Sequence, residues 1–143
     1  MSNVNDDLKL KGKLTIALND EVVQEVDNLV VTAGKGYVAS RMKDASATAM
    51  SHMAIGSGTT NPAANDTALE TELGRVSLTS TSVSGAVVTY VATFGAGTGT
   101  GAVTEAGILN ASSSGTLLCR TEFNVVNKGS SDSMTVTWTV TVS

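Results

Sequence analysis

Reactive and metal-binding side chains are scarce in this sequence, which contains one histidine and one cysteine among 143 residues. A lone cysteine cannot form a disulfide within the chain, and Cys119 lies in a strand-like run where a free thiol usually packs as a small apolar group. His52 has no Asp or Glu within several residues of it, so a histidine-based zinc site is excluded. The sequence therefore predicts no metal and no cofactor.

Charge is also scarce, and it is not clustered. Charged residues make up 15% of the chain, below the roughly 25% of an average domain. The net charge is −4 and the nine basic residues are scattered, whereas nucleic-acid phosphates are bound by clustered Lys and Arg. The densest group, Lys9, Lys11 and Lys13, occupies alternate positions of a predicted strand, which is typical of a solvated face rather than an anion site. We predict no nucleic-acid partner.

Long apolar runs are lacking as well. None approaches the roughly 20 residues of a membrane-spanning helix, so the sequence predicts no membrane partner. The first eight residues, Met1–Leu8, include two Asp and no apolar stretch, which is not the pattern of a secretory signal.

Aromatic residues and proline are also scarce: aromatic residues make up 3% of the chain, and there is one proline. The core must therefore be built mainly from aliphatic side chains. Thr and Ser replace charged residues as the source of solubility, and β-branched Thr suits a pleated, half-exposed surface. Fourteen Gly against one Pro indicate many tight turns. This composition favours a chain of strands.

The clearest pattern is at the carboxyl end, where apolar and hydroxyl residues alternate from Met134 to Ser143. Successive side chains of a strand point to opposite faces, so this period predicts a strand with one buried and one exposed face. Trp138 and Val140 lie on the apolar face, and Thr137 and Thr139 lie on the other.

The first part of the chain predicts a β-hairpin. Apolar residues recur at even positions from Leu8 to Leu18, with Gly12 on the same face at a bulge or a close backbone approach. Asn19–Asp20 is a turn signal, and Val22–Val26 can return as a second strand.

Helical spacing then predicts a short helix over 33–43, with Thr32 as its N-cap. Gly34 and Gly36 weigh against it, since each costs about 1 kcal/mol relative to Ala in a helix interior. We interpret residues 1–50 as a hairpin plus helix, a candidate attachment element, and residues 51–143 as a β-sandwich domain.

A strand, a loop and a helical turn are predicted between residues 50 and 74. Met50–Ile55 reads as the strand, and Gly56–Asp66 as the loop. Thr67 and Glu70 have the spacing of a capping box, which indicates a short helical turn ended by Gly74.

From Arg75 onward the pattern indicates one strand after another, separated by turn signals. The predicted strands are Arg75–Val83, Ala86–Phe94, Ala102–Leu109, Thr116–Phe123 and Met134–Ser143. Short strands at this spacing predict a mainly β fold, an antiparallel β-sandwich (Ig-like or jelly-roll-like) with one or two short helices. Their inward faces supply the core candidates Val88, Tyr90, Phe94, Ile108, Leu118, Phe123, Val136, Trp138 and Val140.

Three charged residues, Arg75, Glu105 and Arg120, lie within or beside apolar strands. An unpaired charge near a core is costly, so each needs a partner. We predict a structural ion pair between Glu105 and either Arg75 or Arg120, in preference to a catalytic carboxylate.

No motif for catalysis accompanies these strands. Gly95–Gly101 is glycine-rich but leads into a strand and is followed by no Lys, unlike a phosphate-binding loop. The Gly-x-Ser-x-Gly elbow of hydrolases is lacking, and Gly56–Gly58 is too short a match. The sequence predicts no catalytic residue and no enzyme.

Three segments, taken in order, resemble a known class of protein. They are Met53–Arg75, a Gly/Thr-rich loop followed by an acidic segment ending in Arg; Val103–Asn110, with Glu-Ala-Gly at its centre; and Leu118–Phe123, with Arg-Thr-Glu-Phe. Together with the Thr/Trp-rich terminal strand they resemble small bacteriophage structural proteins, over about residues 50–143.

The resemblance implies a non-enzymatic virion protein, located on the tail (fibre, collar or baseplate) and in contact with other virion proteins. It also implies a homo-oligomer, with a trimer among the symmetries expected. A capsid decoration or cement protein is the alternative. A second alternative is a host-glycan-binding β-sandwich, which the shortage of aromatic residues disfavours.

Overall fold

A computed structural model describes residues 9–43 and 47–142 of the protein. The fold is built mainly of antiparallel strands. The elements are β1 (Leu10–Leu18), β2 (Glu21–Val30), α1 (Thr32–Lys43), β3 (His52–Gly56), β4 (Glu72–Ser77), β5 (Ser80–Ser84), β6 (Val87–Phe94), β7 (Gly101–Leu109), β8 (Leu117–Lys128) and β9 (Met134–Val142). The strands form one sheet curled into a half-barrel, with a single short helix in the described residues. The predicted mainly β, sandwich-like fold is confirmed.

The strand order is β4-β3-β7-β8-β2-β1-β9-β6-β5, and β2 joins the two halves of the sheet. Most of β2 pairs with β1, from Gly12↔Asn28 to Leu18↔Glu21. Only its last residues, Leu29 and Val30, pair with β8. We call β2, β1, β9, β6 and β5 the first half-sheet, and β8, β7, β3 and β4 the second half-sheet. The main core lies between them and takes side chains from both.

Strand β9 sits in the middle of the first half-sheet, between β1 and β6, and keeps the predicted alternation. Trp138 is fully buried and its indole N–H donates to Asn28 Oδ1 at 2.9 Å. Asn28 lies opposite Gly12, where any Cβ would overlap the Asn28 amide, so Gly12 marks a close approach of a side chain. The other buried core candidates are Tyr90, Phe94, Ile108, Leu118, Phe123, Val136 and Val140, while Val88 is half-buried at the margin of the core.

The β1–β2 turn has the predicted residues and the expected backbone. Asn19 and Asp20 both have positive φ, 50° and 68°, as a two-residue type I′ turn requires. The linker from β8 to β9 passes this turn, where Asn19 Nδ2 donates to Asp132 Oδ1 at 2.9 Å and the Asn19 N–H donates to Ser133 O at 2.8 Å. The Asn19 bond and a second from the Gly129 N–H hold the pKa of Asp132 below its usual range.

Helix α1 packs on β8 at Gly34, one of the two glycines that were expected to weaken the helix. A Cβ on Gly34 would lie 2.1 Å from Leu118 O, so only glycine allows this approach. Thr32, predicted as the N-cap, is instead the first helical residue, and the Lys35 N–H donates to Val31 O to close the first turn.

The predicted helical turn at Thr67–Leu73 is wrong. Thr67–Thr71 form an irregular segment that leads into β4, and Glu72, Leu73 and Gly74 belong to that strand. The Glu70 backbone N–H donates to Glu105, and its side chain accepts from the Thr59 N–H, so neither group takes part in a capping box. Tertiary hydrogen bonds have replaced the local ones.

The single strand predicted over Arg75–Val83 is also wrong, because it is two strands in different half-sheets. The Leu78 N–H donates to Ser51 O beside the second half-sheet, and the Thr79 N–H donates to Val91 O in the first. The chain therefore crosses between the two layers at Leu78–Thr79.

The strands of residues 1–50 share the core with those that follow. Strand β1 pairs with β9 along its whole length, from Leu10↔Val142 to Leu18↔Met134. Their role as an attachment element stays a prediction. Residues 1–8 and Ser143 lie outside the described residues. The prediction that the first eight residues are not a secretory signal falls there, and so does Leu8, the first position of the predicted strand. In the described part of the chain no helix is long and apolar enough to cross a membrane.

Candidate functional site

The outer face of the second half-sheet is covered by the long connection from β3 to β4, residues 57–71, which we call the covering loop. Strand β7 is consequently buried on both faces from Val103 to Leu109. A small second core lies under the covering loop, built from Val31, Ala54, Leu69, Leu109 and Leu117. The polar residues that hold this loop form a cluster of buried charges and hydrogen bonds within the described residues.

Glu105 is the centre of this polar cluster and has no exposed surface. Its Oε2 accepts from the Gly58 N–H at 2.7 Å and the Thr71 N–H at 2.8 Å. Its Oε1 accepts from the Glu70 N–H at 2.9 Å and from Arg120 Nε at 3.0 Å. A buried carboxylate is tolerated only when it is paired and hydrogen-bonded, and here each oxygen has two donors.

Arg120 extends the cluster from β8, and its side chain is 3% exposed. Besides Glu105, it donates to Asp66 Oδ2 at 3.1 Å and to Thr60 O at 3.0 Å. Asp66 in turn accepts from the Ala63 N–H at 2.9 Å. All three guanidinium nitrogens are therefore engaged, two of them by the covering loop.

Two glycines make room for the Glu105 carboxylate. A Cβ on Gly56 would lie 2.6 Å from Glu105 Oε2, and a Cβ on Gly58 would lie 2.4 Å from it. The Gly58 carbonyl also accepts from Thr104 Oγ1 at 2.7 Å. The Gly-Ser-Gly sequence thus serves close packing over a buried charge.

The structure brings Glu105 and Arg120 together and places Arg75 elsewhere. Arg75, on β4, binds Glu72 through Nε at 3.1 Å and Nη2 at 2.7 Å. Its Nη1 donates to the carbonyl oxygens of Ala111 and Ser114, both at 2.9 Å. Arg75 therefore ties β4 to the β7–β8 connection.

The chemistry of the Glu105 cluster is structural. General acid–base catalysis needs a group that can reach a substrate proton, whereas Glu105 is enclosed and saturated by donors. What the arrangement does is fasten the covering loop to β7 and β8.

His52 and Cys119 do not extend the cluster. His52 Nδ1 lies 2.7 Å from Ser51 Oγ, and its Nε2 lies 3.4 Å from Ser77 Oγ, with no carboxylate among these partners. Cys119 is fully buried, and burial raises the pKa of its thiol. Among residues 9–43 and 47–142, no group of three or more His, Cys, Asp or Glu is placed to hold a metal ion.

The outer face of the first half-sheet is a second feature, and it is partly exposed: Thr93 is exposed and its threonine neighbours are half-buried. Threonines of neighbouring strands lie opposite one another there, as in Thr89↔Thr139, Thr93↔Thr135 and Thr15↔Thr137. Thr93 and Thr135 share a hydrogen bond of 3.0 Å between their hydroxyl oxygens. We call this surface the hydroxyl face and define it as Thr15, Thr89, Thr93, Thr135, Thr137, Thr139 and Thr141.

Exposed lysines border the hydroxyl face. Lys11 and Lys13 of β1 lie opposite Thr141 and Thr139, and Lys9 comes just before the strand. Lys13 Nζ is 3.4 Å from Glu25 Oε2 of β2. This is the solvated strand face that the alternating lysines indicated.

Sequence reasoning missed two charged members of the polar interior, Asp66 and Lys128. Asp66 lies in a loop with no strand pattern, and its contact with Arg120 joins residues 54 positions apart in the sequence. Lys128 is 2% exposed, and its Nζ donates to Gly95 O at 2.8 Å. The apolar pattern of β8 could have indicated an inward position for Lys128, had the strand been extended beyond Phe123.

Comparisons of the chain with protein families, with characterised proteins and with solved structures find no match.

Proposed function

We propose that this chain is a non-enzymatic structural protein of a bacteriophage virion, associated with the tail and docked to other virion proteins through its sheet surfaces. The observation that carries the proposal is the hydroxyl face, whose central strand β9 presents a regular row of four threonines and no charge. It is supported by the motif resemblance over residues 50–143.

A threonine surface suits permanent contact with another protein. Burying a charge in an interface is costly, whereas a hydroxyl costs less to desolvate and can recover hydrogen bonds as both donor and acceptor. Threonine side chains are short and β-branched, so they lose little rotamer freedom when they are covered. The rigid ladder of β6, β9 and β1 keeps them in register.

The same surface serves a capsid decoration protein, which remains the alternative placement. Location in the particle distinguishes the two. We expect electron cryo-microscopy of particles from the phage that encodes this chain to show ordered copies on the tail. Copies on the capsid lattice would select the alternative, and absence of the chain from purified particles would refute a virion role.

The hydroxyl face itself is tested by placing one charge in it. We expect Thr137→Glu to lower the copy number per particle about tenfold or more, which corresponds to only about 1.4 kcal/mol of lost contact energy. Ser113→Glu adds the same charge on the exposed β7–β8 connection and should leave incorporation unchanged. Circular dichroism of both purified variants verifies folding. Normal incorporation of folded Thr137→Glu would show that the hydroxyl face is not the docking surface.

A further inference from the structure

The two edge strands of the sheet, β4 and β5, differ in how well they are protected from pairing with another chain. Strand β4, at one edge, packs against the glycine-rich connection from β6 to β7. A Cβ on Gly74 would lie 2.9 Å from the Gly99 nitrogen, and a Cβ on Gly101 would lie 3.2 Å from Leu73 Cδ1. The Glu72–Arg75 ion pair adds charge to the same strand. Covering and charging an edge are the usual means by which proteins prevent pairing with another chain.

At β5 none of these protections is found. The strand Ser80–Ser84 is exposed at every residue and is the last in the sheet, with no strand of the described residues on its outer side. It contains no charge and no proline, and it pairs with β6 without a break in register. Val83 is 72% exposed, the highest value among the exposed large aliphatic residues of the strands.

The hairpin geometry fixes which backbone groups of β5 face outward. The two-residue turn Gly85–Ala86 is closed by the pair Ser84↔Val87, which is hydrogen-bonded in such a hairpin. Hydrogen-bonded and non-hydrogen-bonded pairs alternate along an antiparallel ladder. Ser80, Ser82 and Ser84 therefore direct their N–H and C=O groups to β6. Thr81 and Val83 direct theirs to the open edge.

We propose that β5 pairs with β5 of a second copy of this chain, antiparallel, about a two-fold axis through Ser82. Thr81 of each copy then lies opposite Val83 of the other. Both residues present an outward N–H and C=O, so this register forms four hydrogen bonds. The two half-barrels become one continuous sheet.

A second copy fits this edge because the strand is complementary to itself. Thr81 lies opposite Tyr90 and Val83 lies opposite Val88 on β6, which places both β5 side chains on the core side of the sheet. Pairing sets each exposed Val83 beside Thr81 of the other copy and extends that apolar side. No like charges meet across the axis.

The contact is short, so the isolated dimer is weak and forms as concentration rises. Copies held close together by a larger assembly would pair more strongly, through their effective concentration. The hydroxyl face lies on the opposite side of the sheet and remains accessible. A failed test of this pairing would therefore leave the proposed function untouched, and a failed test of the proposed function would leave this pairing untouched. A two-fold pair differs from a trimer, which is one of the symmetries expected from the resemblance.

Sedimentation equilibrium of the purified chain over a wide concentration range tests the pairing. We expect a monomer–dimer equilibrium. Val83→Pro removes only an outward N–H and should weaken association about tenfold or more, because two of the four hydrogen bonds are lost across the axis. Val83→Thr keeps the backbone donor and should retain dimerisation. A wild-type chain that stays monomeric throughout, or a dimer insensitive to Val83→Pro, would overturn the proposal.

Charge exchange tests the register. The double variants T81K/V83K and T81E/V83E should each be monomeric, because like charges then meet across the axis, and mixing them should restore a heterodimer. Amide hydrogen exchange adds a site-specific measurement: Thr81 and Val83 should gain protection with concentration, while Ser82, already bonded to β6, should change little. Failure of the mixture to associate, or protection appearing elsewhere, would refute this pairing.

Discussion

Gly34 and Gly36 stand two residues apart in α1, and their surroundings are opposite. Gly34 is buried against the backbone of β8, where an added Cβ would lie 2.1 Å from Leu118 O. Gly36 has nothing within 4 Å of the position that a Cβ would take. The sequence gives both the same helix-weakening character, and only packing distinguishes them.

This difference predicts opposite effects of the same substitution. Gly36→Ala should raise the free energy of unfolding by about 0.5–1 kcal/mol, because alanine favours the helix and meets no neighbour. Gly34→Ala should lower it by about 1–3 kcal/mol, since α1 must move away from β8. Urea denaturation measures both. Equal stabilisation by the two variants would mean that α1 does not pack on β8 at this distance.

The covering loop shows how one side chain can organise an element that has no regular structure of its own. Three backbone N–H groups of this loop, from Gly58, Glu70 and Thr71, donate to the Glu105 carboxylate. Backbone groups of a loop that covers a sheet need partners, and an acceptor projecting from β7 supplies them. Arg120 balances the charge from β8.

Removing that charge should loosen the whole covering loop. We expect Glu105→Gln to lower the free energy of unfolding by about 3–5 kcal/mol, because Arg120 loses its buried counter-ion and an amide nitrogen faces backbone donors. Limited proteolysis should then cut within residues 57–71.

The matched control for this substitution is Glu25→Gln, which removes an exposed carboxylate whose partner is Lys13. It should change stability by less than about 1 kcal/mol. If Glu105→Gln proves equally mild, the carboxylate does not hold the loop.

At the scale of the whole molecule, the core joins both half-sheets into one unit. Cys119 is a probe for opening of this core, because it is fully buried and lies opposite Ile108 within it. Its thiol reacts only as a thiolate, and burial raises the pKa of that thiol.

Reaction of Cys119 with a disulfide reagent at neutral pH should therefore require opening of the core. We expect no labelling of the native chain on the time scale in which the urea-unfolded chain reacts completely, and the native labelling rate should rise with urea in step with global unfolding. The absorbance of the thiol that the reagent releases measures the extent of labelling. Rapid labelling without denaturant would show that β7 and β8 separate locally from the rest.

The sequence by itself determined the strands whose periodicity is local. β9, β6 and the β1–β2 turn follow from alternation and from Asn19–Asp20, because a half-buried strand and a type I′ turn impose their pattern on adjacent residues. An ion pair of Glu105 was likewise expected from the cost of a charge among apolar strands, with Arg75 and Arg120 as equal candidates.

Only the tertiary structure decided the choice between those partners and the course of the chain from Thr67 to Val83. The capping-box spacing of Thr67 and Glu70 was overridden because Glu105, 35 residues beyond Glu70, accepts the Glu70 N–H. The break at Leu78–Thr79 arises because two half-sheets compete for one segment. Hydrogen bonds between residues distant in sequence leave no local pattern, so folding alone brings their partners together.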